Sequence, residues 1–271
     1  MGANAWLRAG AWVWMLAMLA GSEVPQNADE QKAKQLWEKA IAAKAGRESL
    51  HRVQNVLISS RAPHRGERPG FEGLYNHWEE LYVLPDKFWF WHDDRPSKFG
   101  LRAEVFDGTS HWLVYENDPE SPRKLGLTTN EKFFLVRAQV FFLMETRWIK
   151  PTPVKTRAGR LGLKEVDILQ AIVDGYRVIF YLDRNTHLPI KASILSPTAD
   201  ENDEELIDIF SAVFDDYMDV NGVKLPQKVA WGRWLTYSYQ INVDYERSLF
   251  EGVPRLENGP EAWSRTSKNR P

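Results

Sequence analysis

PDKFWFWHDD, residues 85–94, sets four aromatics side by side and stops on charge. Side chains alternate between the two faces of a strand, so Phe88 and Phe90 look one way and Trp89 and Trp91 the other. A sheet with one wet face alternates apolar with polar residues, and this stretch does not. The strand therefore belongs to a sheet covered on both faces.

The flanking sequence supplies the rest of that sheet. GLYNHWEELYVL precedes it, broken by the turn pair Pro85-Asp86, and FGLRAEVFDGTSHWLVYE follows as a hairpin around Asp107-Gly108. VLISSRA reads as an earlier first strand. LKEVDILQAIVDGYRVIFYLD repeats the hairpin at Asp174-Gly175, HLPIKASIL continues it, and residues 205–245 add up to three strands, two of them joined at Asn221-Gly222. Many short strands linked by tight turns make an antiparallel meander and no parallel wrap.

Helices are few. From Asp29, a plausible N-cap, Ala33, Leu36, Trp37, Ala40 and Ile41 recur at helical spacing as far as a stop at Gly46. RESLHRVQNV is a second short helix with an apolar edge of Leu50, Val53 and Val56. A third segment interrupts the strands, where ten of the twelve residues from Phe133 to Met144 are apolar and Arg137 and Gln139 are the exceptions. On a helix they cover nearly the whole circumference, which describes a buried helix. The sheet has to curve around it as around a plug.

The chain has 271 residues, of which 43% are hydrophobic and 27% charged, as in a soluble globular protein. A net charge of −2 gives no electrostatic case for nucleic acid. Cysteine is absent, which removes disulfides, thiol catalysis, thiolate zinc sites and the cysteine on which a bacterial lipoprotein is acylated. Residues 1–22 have one basic residue, Arg8, a short apolar run and small residues at its exit, the pattern of a cleavable secretory signal. Cleavage after Ser22 would take the net charge from −2 to −3, since Arg8 is the one charge lost. Residues 23–28 read as a linker, 29–254 as one domain and 255–271 as a polar tail without periodicity.

This order of parts, with AIAAKAGRESLHRVQNVLISSRA near the start and FDDYMDVNGVKLPQKV…INVDYERSLFEGVP near the close, resembles the periplasmic proteins grouped with the lipoprotein-sorting carriers LolA and LolB. The most specific part is the close: Tyr217, the VNGVKLP turn and Leu249-Phe250 ahead of Pro254. The resemblance implies an α+β, mainly antiparallel fold: a curved, incomplete β-barrel, or half-barrel, with helices in or over its concave face. It also implies an exported protein of the periplasm that binds lipid or an acylated lipoprotein without catalysis or cofactor, with transient membrane contact. No short signature defines that family, so no binding residue is carried over. The longer chain, the acidic loop ADENDEE and the aromatic load depart from the founding carriers.

The candidate walls of an apolar cavity are Trp89 and Trp91 on the sheet and Phe133, Phe134, Phe141, Phe142 and Met144 on the buried helix. Each has a plainer reading as packed core, since cross-strand aromatic pairs stabilise a sheet by themselves. Two other functions stay open. One is a periplasmic sensor or adaptor that binds an envelope protein through the same fold. The other is a metal-dependent hydrolase around His92 and Asp94, which needs a further donor such as His77 or His111. The chain lacks a G-x-S-x-G elbow, an H-E-x-x-H helix and a phosphate-cradling glycine loop.

Overall fold

The computed structural model describes residues 28–63, 75–95, 100–126, 135–195 and 208–257. The expected signal segment, Phe133 and Phe134, the acidic loop and the tail from residue 258 lie outside these residues. Helix α1 (Ala28–Lys44) and the short α2 (Arg47–Arg52) lead into the strands. These are β1 (Asn55–Pro63), β2 (Tyr75–Val83), β3 (Lys87–Asp94), β4 (Gly100–Phe106), β5 (His111–Tyr115) and β6 (Arg123–Leu125). A plug helix over 135–143 follows. Then come β7 (Thr152–Leu161), β8 (Lys164–Val173), β9 (Tyr176–Asp183), β10 (Pro189–Leu195), β11 (Asp208–Val220), β12 (Val223–Ala230) and β13 (Trp234–Ile241).

The 13 strands form one open antiparallel sheet in the order β6-β5-β4-β3-β2-β1-β13-β12-β11-β10-β9-β8-β7. The chain enters at the middle, meanders out to one edge, crosses by way of the plug to the other edge, and meanders back until β13 pairs with β1. Two-residue turns set much of the register. Asp174-Gly175 and Asn221-Gly222 place both central residues at positive φ (52° and 85° in each), the twist that matches paired strands.

The plug explains the curvature. Gln139 Nε2 donates to Pro85 O at the β2–β3 turn, 3.2 Å, while Phe141 meets Phe214 of β11 edge-on with ring centres 5.9 Å apart. On a flat sheet, with strands about 4.8 Å apart, those contacts are too widely spaced for one helix to span. The sheet curls so that one helix touches both halves. On its concave side α1 and the plug share a single apolar core with Phe88, Phe90, Phe180 and Tyr239.

Local readings hold with some changes. The α1 stripe is buried as its spacing predicts, and Gly46 (φ 77°) ends the helix by returning its N–H to Ile41 O, 2.9 Å. Asp29 sits in the first turn of α1 and not at its cap. The second helix stops at Arg52, because Asn55 and Val56 already pair with β2. The plug is α-helical over 135–138 and then widens to a π-helix, Gln139–Leu143. Strands β6 and β7 went unread: β6 has three residues, and β7, an edge strand, carries Lys155, Arg157 and Arg160 where a buried strand alternates. Charge and shortness are how edges avoid pairing with other chains.

Candidate functional site

Strand β3 places its side chains as parity demands. Phe88 and Phe90 stack at 4.4 Å on the concave side and join the core around the plug. Trp89 and Trp91 turn to the convex side, into a second cluster with Leu57, Leu81, Ala103, Val105, Leu249 and Phe250. The cover there is the segment after β13, whose 3-10 turn Arg247–Phe250 lies over β3 and β4. Trp91 Nε1 donates to Leu256 O at 3.0 Å. The tryptophans and the plug, grouped above as one cavity wall, thus stand on opposite faces of the sheet. Trp89 and Trp91 are sealed by the chain's own C-terminal segment.

The two polar residues of the plug have distinct tasks. Gln139 is buried and fully engaged: its amide N–H groups reach Pro85 O and Leu135 O, and its Oε1 accepts from Thr146 Oγ1 at 2.9 Å. Just beyond the plug, buried Glu145 accepts from Trp37 Nε1 (3.1 Å) and Arg47 Nε (2.7 Å) and contacts His51 Nε2 (2.9 Å). Burial pushes this carboxyl up, but the Arg47, Trp37 and His51 hydrogen bonds outweigh it and hold Glu145 below the usual range. The plug's end is in this way locked to α1 and α2. Met144, at φ 67°, closes the helix and is wholly buried.

Arg137, the other exception, faces a cavity of about 190 Å³ between the plug and the sheet. Its apolar wall is Ile58, Phe142, Phe210 and Leu235; Trp78, Trp231 and Tyr237 add aromatic surface; Ser60, Glu80 and His92 bring polar atoms. The Arg137 guanidinium lies 4.5 Å from the Phe210 ring centre and 5.3 Å from that of Trp231, a cation–π seat. Phe141 stacks behind Trp231 at 5.7 Å. Of the predicted wall residues, Phe142 lines this space, Phe141 backs it and Met144 does not reach it.

The polar end of the cavity is unusual for an apolar slot. Tyr82 Oη donates to Glu80 Oε2 at 2.9 Å. Burial raises the Glu80 carboxyl toward its neutral acid, with Arg137 and the Tyr82 hydroxyl working against that shift. Burial, aided by the charge of Arg102, lowers His92 to about 3, so its imidazole is neutral. His92 Nε2 is buried and has no hydrogen-bond partner. His92 is singled out in the sequence, though for a metal with Asp94, whereas Glu80 in HWEELYV reads as ordinary strand polarity; same-face parity with Phe90, opposite which Glu80 pairs, was the available signal.

Among the described residues the histidines considered for a metal site do not converge. His77 lies by Glu79 (3.4 Å) and edge-on to Trp91, on the convex side. His92 is on the concave side, His111 is bound to Glu104 (2.7 Å), and the Asp94 side chain lies outside the described residues. Among the described residues no three His, Asp or Glu side chains gather as ligands. A second, more open groove of about 420 Å³ is lined by Ser59, His77, Glu79, Gln227, Thr236 and Ser238, where β12 and β13 pair over three residues only.

No helix among the described residues is long and apolar enough to cross a membrane. No family model matches the sequence, and no curated protein matches it. Among solved structures the chain is similar to a DUF1329 family protein from Desulfovibrio piger, at 12% identity and a TM-score of 0.47, covering 81% of this chain and 97% of that one. It is also similar to a LolA superfamily protein from Nitrosomonas europaea, at 14% identity and a TM-score of 0.46, covering 80% of this chain and 96% of that one. These likenesses transfer no residue role and no ligand.

Proposed function

We propose that the protein is a non-catalytic carrier of the cell envelope that holds the apolar part of a lipid or acylated lipoprotein between the plug and the concave face of its sheet. The observation that carries this reading is the space left beside Phe142. An apolar-walled cavity lies at the helix that joins the two halves of the sheet. Water-filled apolar space is costly, and a methylene moved into it from water gains about 0.8 kcal/mol.

At about 190 Å³ the cavity is smaller than the usual ligand pocket of roughly 300–1,000 Å³. A long acyl chain enters only if the plug shifts. The π-turn at Gln139–Leu143 is a suitable place for that shift, because such turns interrupt the regular helical ladder and recur at functional sites. Export by the N-terminal segment supplies the setting in which acylated envelope proteins are met.

Native mass spectrometry of the full chain purified from its own periplasm, followed by organic extraction, tests this. An acylated species in the extract is the expected result. A clean unliganded mass, with no change in tryptophan emission on adding a fatty-acyl probe, would overturn the proposal, since Trp78 and Trp231 line the cavity and report its filling.

A further inference from the structure

The hairpin of β7 and β8 ends in a feature that neither the core nor the cavity uses. Leu161 pairs with Lys164, so Gly162 and Leu163 form its two-residue turn, and Gly162 at φ 60° supplies the positive φ such a turn needs. The second turn position calls for no apolar side chain and is commonly polar. Here it carries a leucine that is 102% exposed, against 53% for Trp234, the next most exposed large hydrophobic side chain among the described residues. Leu163 adds nothing to the protein's own packing.

The charge around it is of one sign. Residues 150–164 contain five cations, Lys150, Lys155, Arg157, Arg160 and Lys164, and no acid, in a chain of net charge −2. Lys155, Arg157, Arg160 and Lys164 are all exposed. The acids of the partner strand, Glu165 and Asp167, are engaged by Arg184 from the turn after β9, at 2.6 and 3.3 Å. Arg160 lies 3.9 Å from Glu165, and Lys155 and Arg157 form no ion pair among the described residues. Edge protection accounts for charge on β7 but not for an apolar residue at its tip.

A lone apolar side chain at a projecting tip does not match a protein partner, whose stable docking takes a patch of roughly 800 Å². It matches a fluid surface, where the leucine enters the boundary between head groups and acyl chains and flanking cations meet phosphates. We infer that the β7–β8 hairpin is a membrane-contact element that sets Leu163 into an anionic phospholipid surface, with Arg160, Lys164 and Arg157 against its phosphates. This stands apart from the carrier reading, since none of these residues lines the cavity.

Sedimentation of the protein purified from its own periplasm with phosphatidylcholine vesicles, with and without about a third of phosphatidylglycerol, tests the inference. Binding to the anionic vesicles is expected at about 20 mM salt, with a steep fall by about 300 mM as the screening length shortens. Leu163→Asn is expected to weaken it about tenfold. Arg157→Gln together with Arg160→Gln is expected to weaken it about twentyfold. Equal binding to both kinds of vesicle, an affinity that either set of substitutions leaves unchanged, or no binding at low salt overturns the proposal. Capture by polyglutamate without sedimentation on vesicles overturns it too and assigns the patch to an acidic protein. The carrier reading survives each of these results, because extraction of an acylated species tests it separately.

Discussion

The two faces of strand β3 are built to different ends. On the convex side Trp89 and Trp91, 1% and 6% exposed, sit in a small closed cluster under residues 243–257. On the concave side Phe88 and Phe90 lead to His92 and a cavity shared with a helix. One face is solid and seals; the other is larger, contains ionisable groups and leaves space. The same alternation of aromatics serves structure on one side and a candidate binding site on the other.

The largest effect should come from the solid side. Trp89→Ala empties the centre of the convex cluster and is expected to cost about 3–5 kcal/mol in urea unfolding, with acyl-probe binding by the folded fraction unchanged. If probe binding is lost at equal folded fraction, the two faces are not independent.

The concave side should instead respond to pH. Lys44, at the end of α1, is wholly buried, donates to Lys224 O and lies 4.9 Å from the Tyr217 ring centre. Burial lowers its ammonium from 10.5 to about 7. Between pH 7 and 10.5 the unfolded chain therefore binds more protons than the folded one, and stability rises with pH at up to about 1.4 kcal/mol per unit. Lys44→Met is expected to raise stability at pH 7 and to flatten this slope. A slope that persists in the variant would place its origin elsewhere.

The smallest effect concerns the seal itself. Trp91→Phe keeps an aromatic ring but loses the hydrogen bond to Leu256 O, and about 1 kcal/mol of stability should go with it. Hydrogen exchange should quicken across residues 243–257 more than in the plug. Equal quickening in both would mean that the C-terminal cover and the plug open together.

Much of the fold was legible from local chemistry. Asn221-Gly222, Asp174-Gly175 and Pro85-Asp86 marked turns because backbone conformation is decided within a few residues. The α1 stripe and the all-round apolar plug were legible because helical periodicity is equally short-ranged. Strand β7 was not, since an edge strand is polar for reasons of its neighbours. The site was half legible. Phe142 came from the plug's composition and His92 from the WHDD cluster, though as a metal ligand, whereas Glu80 looks like any polar strand residue until the sheet closes around it.

The order of residues alone settled that the chain is an antiparallel meander around an apolar helix, and that Trp89 and Trp91 oppose Phe88 and Phe90. Those are consequences of strand parity and helical period. Which pair would face the plug was decided only by tertiary structure, through a cover 165 residues away in the chain from Trp91. The same holds for β1 beside β13, where Leu57 pairs with Gln240, and for the burial that neutralises His92. Long-range pairing and burial depend on the summed fit of distant segments, and no short stretch of sequence contains that sum.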